Sequence, residues 1–251
     1  MDNIYVADTG NSRIKVLTSS LEFKHHIINE SLEGRSVTGI CIGAEGDSIL
    51  TVNWRSRTVT EINMDGKTII GFTSEIFKEP IAVAVDKTSK DVFVADNGLG
   101  AVLVFTGCGK FRKKICPPEK ILMKEMSSLL VGYGEDLIVA DSKILVFKKS
   151  GDFVRHFGGV ENSGKSKESK RGRFCGIALT HDGDHLIAAR AEKTGSLVKI
   201  FNLSDGSLRS EIDSWNYKLK RPTGVCVGVK EDQYVFVVDI GSECVRKYRY
   251  K

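Results

Sequence analysis

One pattern returns six times along this chain. Each copy opens on an Asp, runs through a short apolar stretch, breaks at a small polar turn and enters a second apolar stretch. DNIYVADTGNSRIKVL starts at Asp2, DVFVADNGLGAVLVF at Asp91 and DLIVADSKILVF at Asp136. Weaker copies, DSILTVNWRSRTVTEI, DHLIAARAEKTGSLVKIF and DQYVFVVDIGSECVRKY, start at Asp47, Asp184 and Asp232. The intervals are 45, 44, 45, 48 and 48 residues. Self-similarity of this period belongs to an array or a propeller, in which one unit is too small to bury its own apolar face. Residues 1–251 are therefore expected to form a single repeat domain, with units starting near 2, 47, 91, 136, 184 and 232.

Within a unit every signal is that of a strand. In the third, IAVAV (81–85), VFVA (92–95), VLVF (102–105) and KFRKKI (110–115) are separated by DKTSKD, DNGLG and TGCG. Val, Ile and Phe in short runs bounded by Gly, Asp, Asn and Ser read as strands and turns. The middle strands are apolar at successive positions, as when both faces are covered. The last strands, FKHHII, KFRKKI, VRHFG and LRSEI, carry charge, which suits an exposed edge. No window has a helical period. Six four-stranded antiparallel sheets with an apolar inside and a charged rim describe an all-β, six-bladed β-propeller. Inner strands are expected at 37–42, 81–85, 128–132, 174–179 and 223–228. Blade one opens at its second strand and blade six ends at its third, so both are incomplete in this chain. An upstream segment of roughly twenty to twenty-five residues, at the observed repeat length, would supply both missing strands, and we expect the natural protein to continue before Met1.

Composition narrows the function classes. Hydrophobic residues make up 41% and charged residues 27% of the chain, which argues against disorder, and the apolar runs are far too short for a membrane span. Six Cys occur without a C-x-x-C pair. Cys41 and Cys226 take equivalent places in GICIG and GVCVG, which suggests small core residues and reduced thiols in a cytoplasmic setting.

The sequences RPTGVCV (221–227), NIYVADTGNSRIKV (3–16) and SGDFVRHFG (150–158) resemble the NHL repeat. Units two and five depart from it, with TVNW and AARA where the others have VAD. The Gly-His and Trp-Asp signatures of WD40 repeats are missing. The resemblance implies the C-terminal propeller of a TRIM-type ubiquitin ligase, a module that recognises RNA or protein. Any ligase chemistry would lie outside this sequence, which has no RING or B-box cysteine pattern.

Catalysis finds little support. His25, His26 and His156 fall on outer strands, away from any channel. His181 and His185 flank the turn HDGDH, which could hold a cation but is equally an Asp-Gly turn. The Asp of each VAD (Asp8, Asp96, Asp141, Asp239) is expected to cap its turn. No metal, cofactor or small-molecule substrate is expected.

Charge does point somewhere. Propeller connections divide between two faces, and one face gathers the links between blades with the turns between second and third strands. On it, 158–173, 190–195 and 213–221 neighbour each other around blades four to six. They hold ten basic residues, Lys165, Lys167, Lys170, Arg171, Arg173, Arg190, Lys193, Lys218, Lys220 and Arg221, against four acidic ones, an excess of six where the whole chain has +5. Trp215 and Tyr217 lie among them, and Trp54, Arg55 and Arg57 are expected to face them from blade two. Cations interleaved with aromatic rings suit single-stranded or stem-loop RNA, phosphates meeting charge and bases stacking on rings. An acidic protein partner fits the same residues, since Arg, Trp and Tyr also mark protein hot spots.

Overall fold

The computed structural model describes residues 3–159, 172–192, 195–212, 218–228 and 233–250. Its elements are strands, joined by turns and three short 3-10 segments. Blade 1 consists of β1 (Asn3–Asp8), β2 (Arg13–Thr18) and β3 (Phe23–Ile27); blade 2 of β4 (Val37–Ile42), β5 (Ser48–Asn53), β6 (Thr58–Asn63) and β7 (Thr68–Thr73). Blade 3 contains β8 (Pro80–Val85), β9 (Val92–Asp96), β10 (Ala101–Phe105) and β11 (Phe111–Ile115). Blade 4 contains β12 (Ser128–Val131), β13 (Asp136–Ala140), β14 (Ile144–Lys148) and β15 (Phe153–Phe157). Blade 5 is β16 (Arg173–Leu179), β17 (His185–Ala191), β18 (Leu197–Asn202) and β19 (Leu208–Ile212), and blade 6 is β20 (Pro222–Val227), β21 (Tyr234–Asp239) and β22 (Cys244–Arg249).

Every sheet is an antiparallel meander in chain order, with four strands in blades 2 to 5 and three in blades 1 and 6. This is the six-bladed propeller architecture, and the strand boundaries fall within about one residue of those read from the apolar runs. By contact density the chain divides into two compact units: Met1–Val131 with Lys149–Phe153, and Gly132–Lys148 with Val154–Lys251.

In the first unit, apolar side chains of adjacent sheets interleave. Leu50, Val52 and Val59 of blade 2 pack with Phe77, Val83, Val92, Val94, Leu103 and Phe105 of blade 3 and the link before it. Phe105 contacts Phe72 and Phe77 at centroid distances of 5.2 Å each, tilted pairs that add to the area they bury. In the second unit, Ile187, Val198 and Ile200 of blade 5 meet Val235 and Val237 of blade 6 around Leu219. All residues of β5, β9 and β10 are buried, whereas the outer strands β7 and β11 are mostly exposed. The apolar runs thus mark strands covered on both faces, and the charged runs mark the rim.

Four inner strands carry a bulge within two residues of their start, between Pro80 and Ala82, Val37 and Gly39, Phe174 and Gly176, and Pro222 and Gly224. A Cβ on Gly176 would sit 2.8 Å from Thr223 O, so β16 and β20 approach as closely as glycine allows. Cys41 and Cys226 occupy equivalent register positions, opposite Leu50 and Phe236. Cys226 is exposed rather than part of the core, and Cys41 is half-buried; all six cysteines are free thiols.

Candidate nucleic-acid interface

In blade 3 the residue that organises the incoming link is the last residue of VAD. Asp96 is fully buried. Its oxygens accept from the backbone N–H of Lys78 (2.8 Å), Glu79 (3.0 Å) and Leu99 (3.0 Å). The expected turn cap is therefore also a clasp on the link that enters the blade. Asp239 repeats this in blade 6, accepting from Lys220 N (3.2 Å) and Arg221 N (2.7 Å), with the Arg246 guanidinium 3.3 Å away. Burial alone would push the Asp239 carboxyl up, but the hydrogen bonds from Arg221, Ser242 and Lys220 and the Arg246 charge hold it below the ordinary Asp value. In blade 2 Asn53 takes the place of the Asp. Its Oδ1 accepts from Arg55 and Ser56 N–H, while its Nδ2 donates to the carbonyls of Ser31 and Glu33 in the incoming link.

The clasp of blade 6 fixes the link that carries charge. Leu219 is buried at 5% exposure and bridges Ser196 of blade 5, while Lys218, Lys220 and Arg221 around it are exposed. The backbone is held at Asp239, at Ser196 Oγ, which donates to Lys220 O, and at Ile240 N, which donates to Arg221 O (3.1 Å). Three cationic side chains are consequently displayed on a backbone anchored independently of them. Among the described residues none of the three has an acidic partner. Arg173 is exposed at the head of β16, the same end of the neighbouring inner strand as Arg221. These four are the expected site residues that the structure brings together.

Arg190 is a correction. Expected as a solvent-facing cation, it is 2% exposed. Its Nε pairs with Glu192 at 2.8 Å, its Nη1 donates to Gly158 O, and its guanidinium lies 4.8 Å from the centre of the Phe174 ring. Register explains this: Arg190 pairs with Phe174 as Asp96 pairs with Pro80 and as Asp239 pairs with Pro222, so it stands at the clasp position of blade 5. It holds a link carbonyl instead of link N–H groups.

Trp54, Arg55 and Arg57 lie in the first unit. Trp54 is 39% exposed, and the Arg55 guanidinium lies 5.4 Å from its ring centre. Arg57 has φ of 56° and is exposed. Lys165, Lys167, Lys170, Arg171, Lys193, Trp215 and Tyr217 lie outside the described residues. One cation of this face was overlooked in the sequence: Lys143, in the turn between second and third strands of blade 4, 3.1 Å from His156 Nε2. Burial, and then the Lys143 charge, push the His156 imidazole below its ordinary value.

The turn HDGDH is a tight turn, closed by Thr180 N to His185 O (3.0 Å) and Gly183 N to Thr180 O (2.9 Å). His181 Nε2 bonds Gly228 O at 2.6 Å, while His185 Nε2 meets the Arg209 guanidinium, so the two imidazoles do not converge. Among the described residues no group of three His, Cys, Asp or Glu is placed to hold a metal ion, and no helix is long and apolar enough to cross a membrane.

No family model and no curated protein sequence matches the chain. Solved structures do. A chain described as "Streptogramin B lyase structure" is 15% identical with a TM-score of 0.65, over 98% of this chain and 74% of that one. Hydrazine synthase of Kuenenia stuttgartiensis is 16% identical with a TM-score of 0.58, over 80% of this chain; the match spans 55% of the synthase chain. At such identities the likeness shows the β-propeller fold and nothing of the chemistry.

Proposed function

We propose that this chain is a non-catalytic recognition module that binds single-stranded RNA through the link 218–221 and the neighbouring Arg173. The observation that carries the reading is the clasped link of blade 6, which displays Lys218, Lys220 and Arg221 without acidic partners among the described residues. Phosphates reward such a row, because each one neutralised releases counterions. We further propose that the chain is the NHL propeller of a TRIM-type ubiquitin ligase; the Asp clasp shared by Asp96 and Asp239 supports a repeat of that kind.

Binding of the purified chain to a random single-stranded RNA pool, at 50 and 200 mM salt, tests the reading. Three phosphate contacts give a log–log slope of about −2 and an affinity loss of roughly twenty-fold over that interval. The triple substitution Lys218→Glu, Lys220→Glu, Arg221→Glu should abolish most of that slope. Equal binding by wild type and triple variant sinks the RNA reading. Absence of RNA binding with retained capture of an acidic protein favours the alternative, a protein-recruiting module.

A further inference from the structure

At the other end of the strands from the clasped links, three turns of the second unit meet. The β12–β13 turn contributes Tyr133, the β16–β17 turn contributes His181, Asp182 and Gly183, and the end of blade 6 contributes Tyr250. Tyr133 is 68% exposed, an unusual position for a large ring with no further role in the core. It rests on Gly183: a Cβ there would lie 3.0 Å from the ring, and φ of +78° also demands glycine. The His181 bond to Gly228 O ties this turn to blade 6, and Tyr250 N donates to Gln233 O (2.8 Å) at the same end of that blade.

The turn under Tyr133 also carries a fixed carboxylate, and Tyr250 packs against the blade 5 and blade 6 core at the same end. Asp182 accepts from Thr180 Oγ1 and from Asp184 N (3.0 Å), and these bonds hold its carboxyl below the ordinary Asp value. Burial, then the charge of Asp182 and the nearby Tyr133, push the Tyr250 phenol up, so Tyr250 stays a neutral ring beside an ionised carboxylate. Lys148 pairs with Asp136 at 2.8 Å and Arg209 packs on His185, while His185 Nδ1 lies 4.0 Å from Asp182 Oδ1 and Arg249 is exposed at the end of blade 6. Exposed Glu135 and Asp184 add negative charge at the rim.

We infer that Tyr133, Asp182 and Tyr250 form a receptor for a lysine or arginine side chain of a partner protein, with the rings flanking the cation and the carboxylate facing it. Aromatic faces attract such cations, and a nearby carboxylate supplies the counter-charge. This site is independent of the basic link, since it lies at the opposite end of β17 and has the opposite charge.

Aromatic-resonance NMR on the full chain, titrated with acetylated, amidated pentapeptides centred on arginine or lysine in a glycine background, tests it. Citrulline and acetyl-lysine peptides serve as neutral counterparts. The cationic peptides should give saturable shifts at Tyr133, Tyr250 and the Gly183 amide. Asp182→Asn, which keeps the Oδ1 acceptor for the turn, and Tyr133→Ala should each weaken binding by roughly two- to thirty-fold. Neutral peptides that shift the same resonances with equal affinity, no saturable shift with either cationic peptide, or an unchanged affinity in Asp182→Asn would each overturn the assignment.

Discussion

In blade 3 the residue opposite the head of the inner strand is Asp96; in blade 5 it is Arg190. Asp96 faces Pro80 and gathers three N–H groups, two of them from the incoming link. Arg190 faces Phe174, stacks on its ring, pairs with Glu192 and reaches the carbonyl of Gly158. Both are buried. What the position requires is a hydrogen-bonded anchor for the link, and the sign of the anchor follows from whether the link turns donors or acceptors inward. Asn53 in blade 2, bonding carbonyls with one amide atom and N–H groups with the other, sits between the two solutions. Glu192 neutralises the Arg version, whereas Asp96 is satisfied by backbone N–H groups and Asp239 by backbone N–H groups with the Arg246 charge added.

The comparison is broken most easily at Arg190. Arg190→Ala should cost about 3–5 kcal/mol in urea unfolding, because it leaves the largely covered Glu192 carboxylate and the Gly158 carbonyl without Arg190. A loss under about 1 kcal/mol, the range of an exposed ion pair, would return Arg190 to the surface. Asp96→Ala should cost about 2–3 kcal/mol by stranding its N–H donors. Asn53→Asp should cost about 1–3 kcal/mol, since it sets a carboxylate oxygen against the carbonyls of Ser31 and Glu33. If that exchange is neutral, the link polarity argument fails.

Acid sharpens the contrast further. The Asp239 carboxyl is held below its ordinary value in the folded state, so its contribution to stability is present above the unfolded Asp value of about 3.9 and is lost as pH falls through the folded one. Hydrogen exchange should therefore show the Lys220 and Arg221 amides losing protection in acid before those at the head of β16. Simultaneous loss would mean that global unfolding, not the clasp, governs both. The smallest effect concerns stability of the triple Glu variant at 218, 220 and 221, expected within about 0.5 kcal/mol of wild type in the same urea assay.

The strand plan is legible in the sequence because apolar runs and turn residues report local environment in every unit, and charged last strands do so in four of them. The clasp is only half legible. VAD announces a turn cap at Asp96, but its grip on Lys78 and Glu79 spans 18 and 17 residues, beside the bulge at Pro80. Arg190 defeats sequence reasoning for the same reason: AARA gives no sign that register places its Arg where other units place Asp. Lys143 escapes notice as a lone cation in a short turn, with nothing nearby in sequence to form a cluster. Lys218, Lys220 and Arg221 are legible, since charge alternating around Leu219 is itself a strand-like pattern.

Clasps of the Asp type hold their links through backbone N–H groups, which every residue but proline possesses. The side chains at 78, 79, 220 and 221 are therefore not asked to contribute to the anchorage. Such a surface is open to drift and to engineering: its chemistry can be rewritten, from basic to acidic or aromatic, while the scaffold beneath is left unaltered. Blade 5 has less of that freedom, because its anchor depends on the pairing of two particular side chains and any change must suit both.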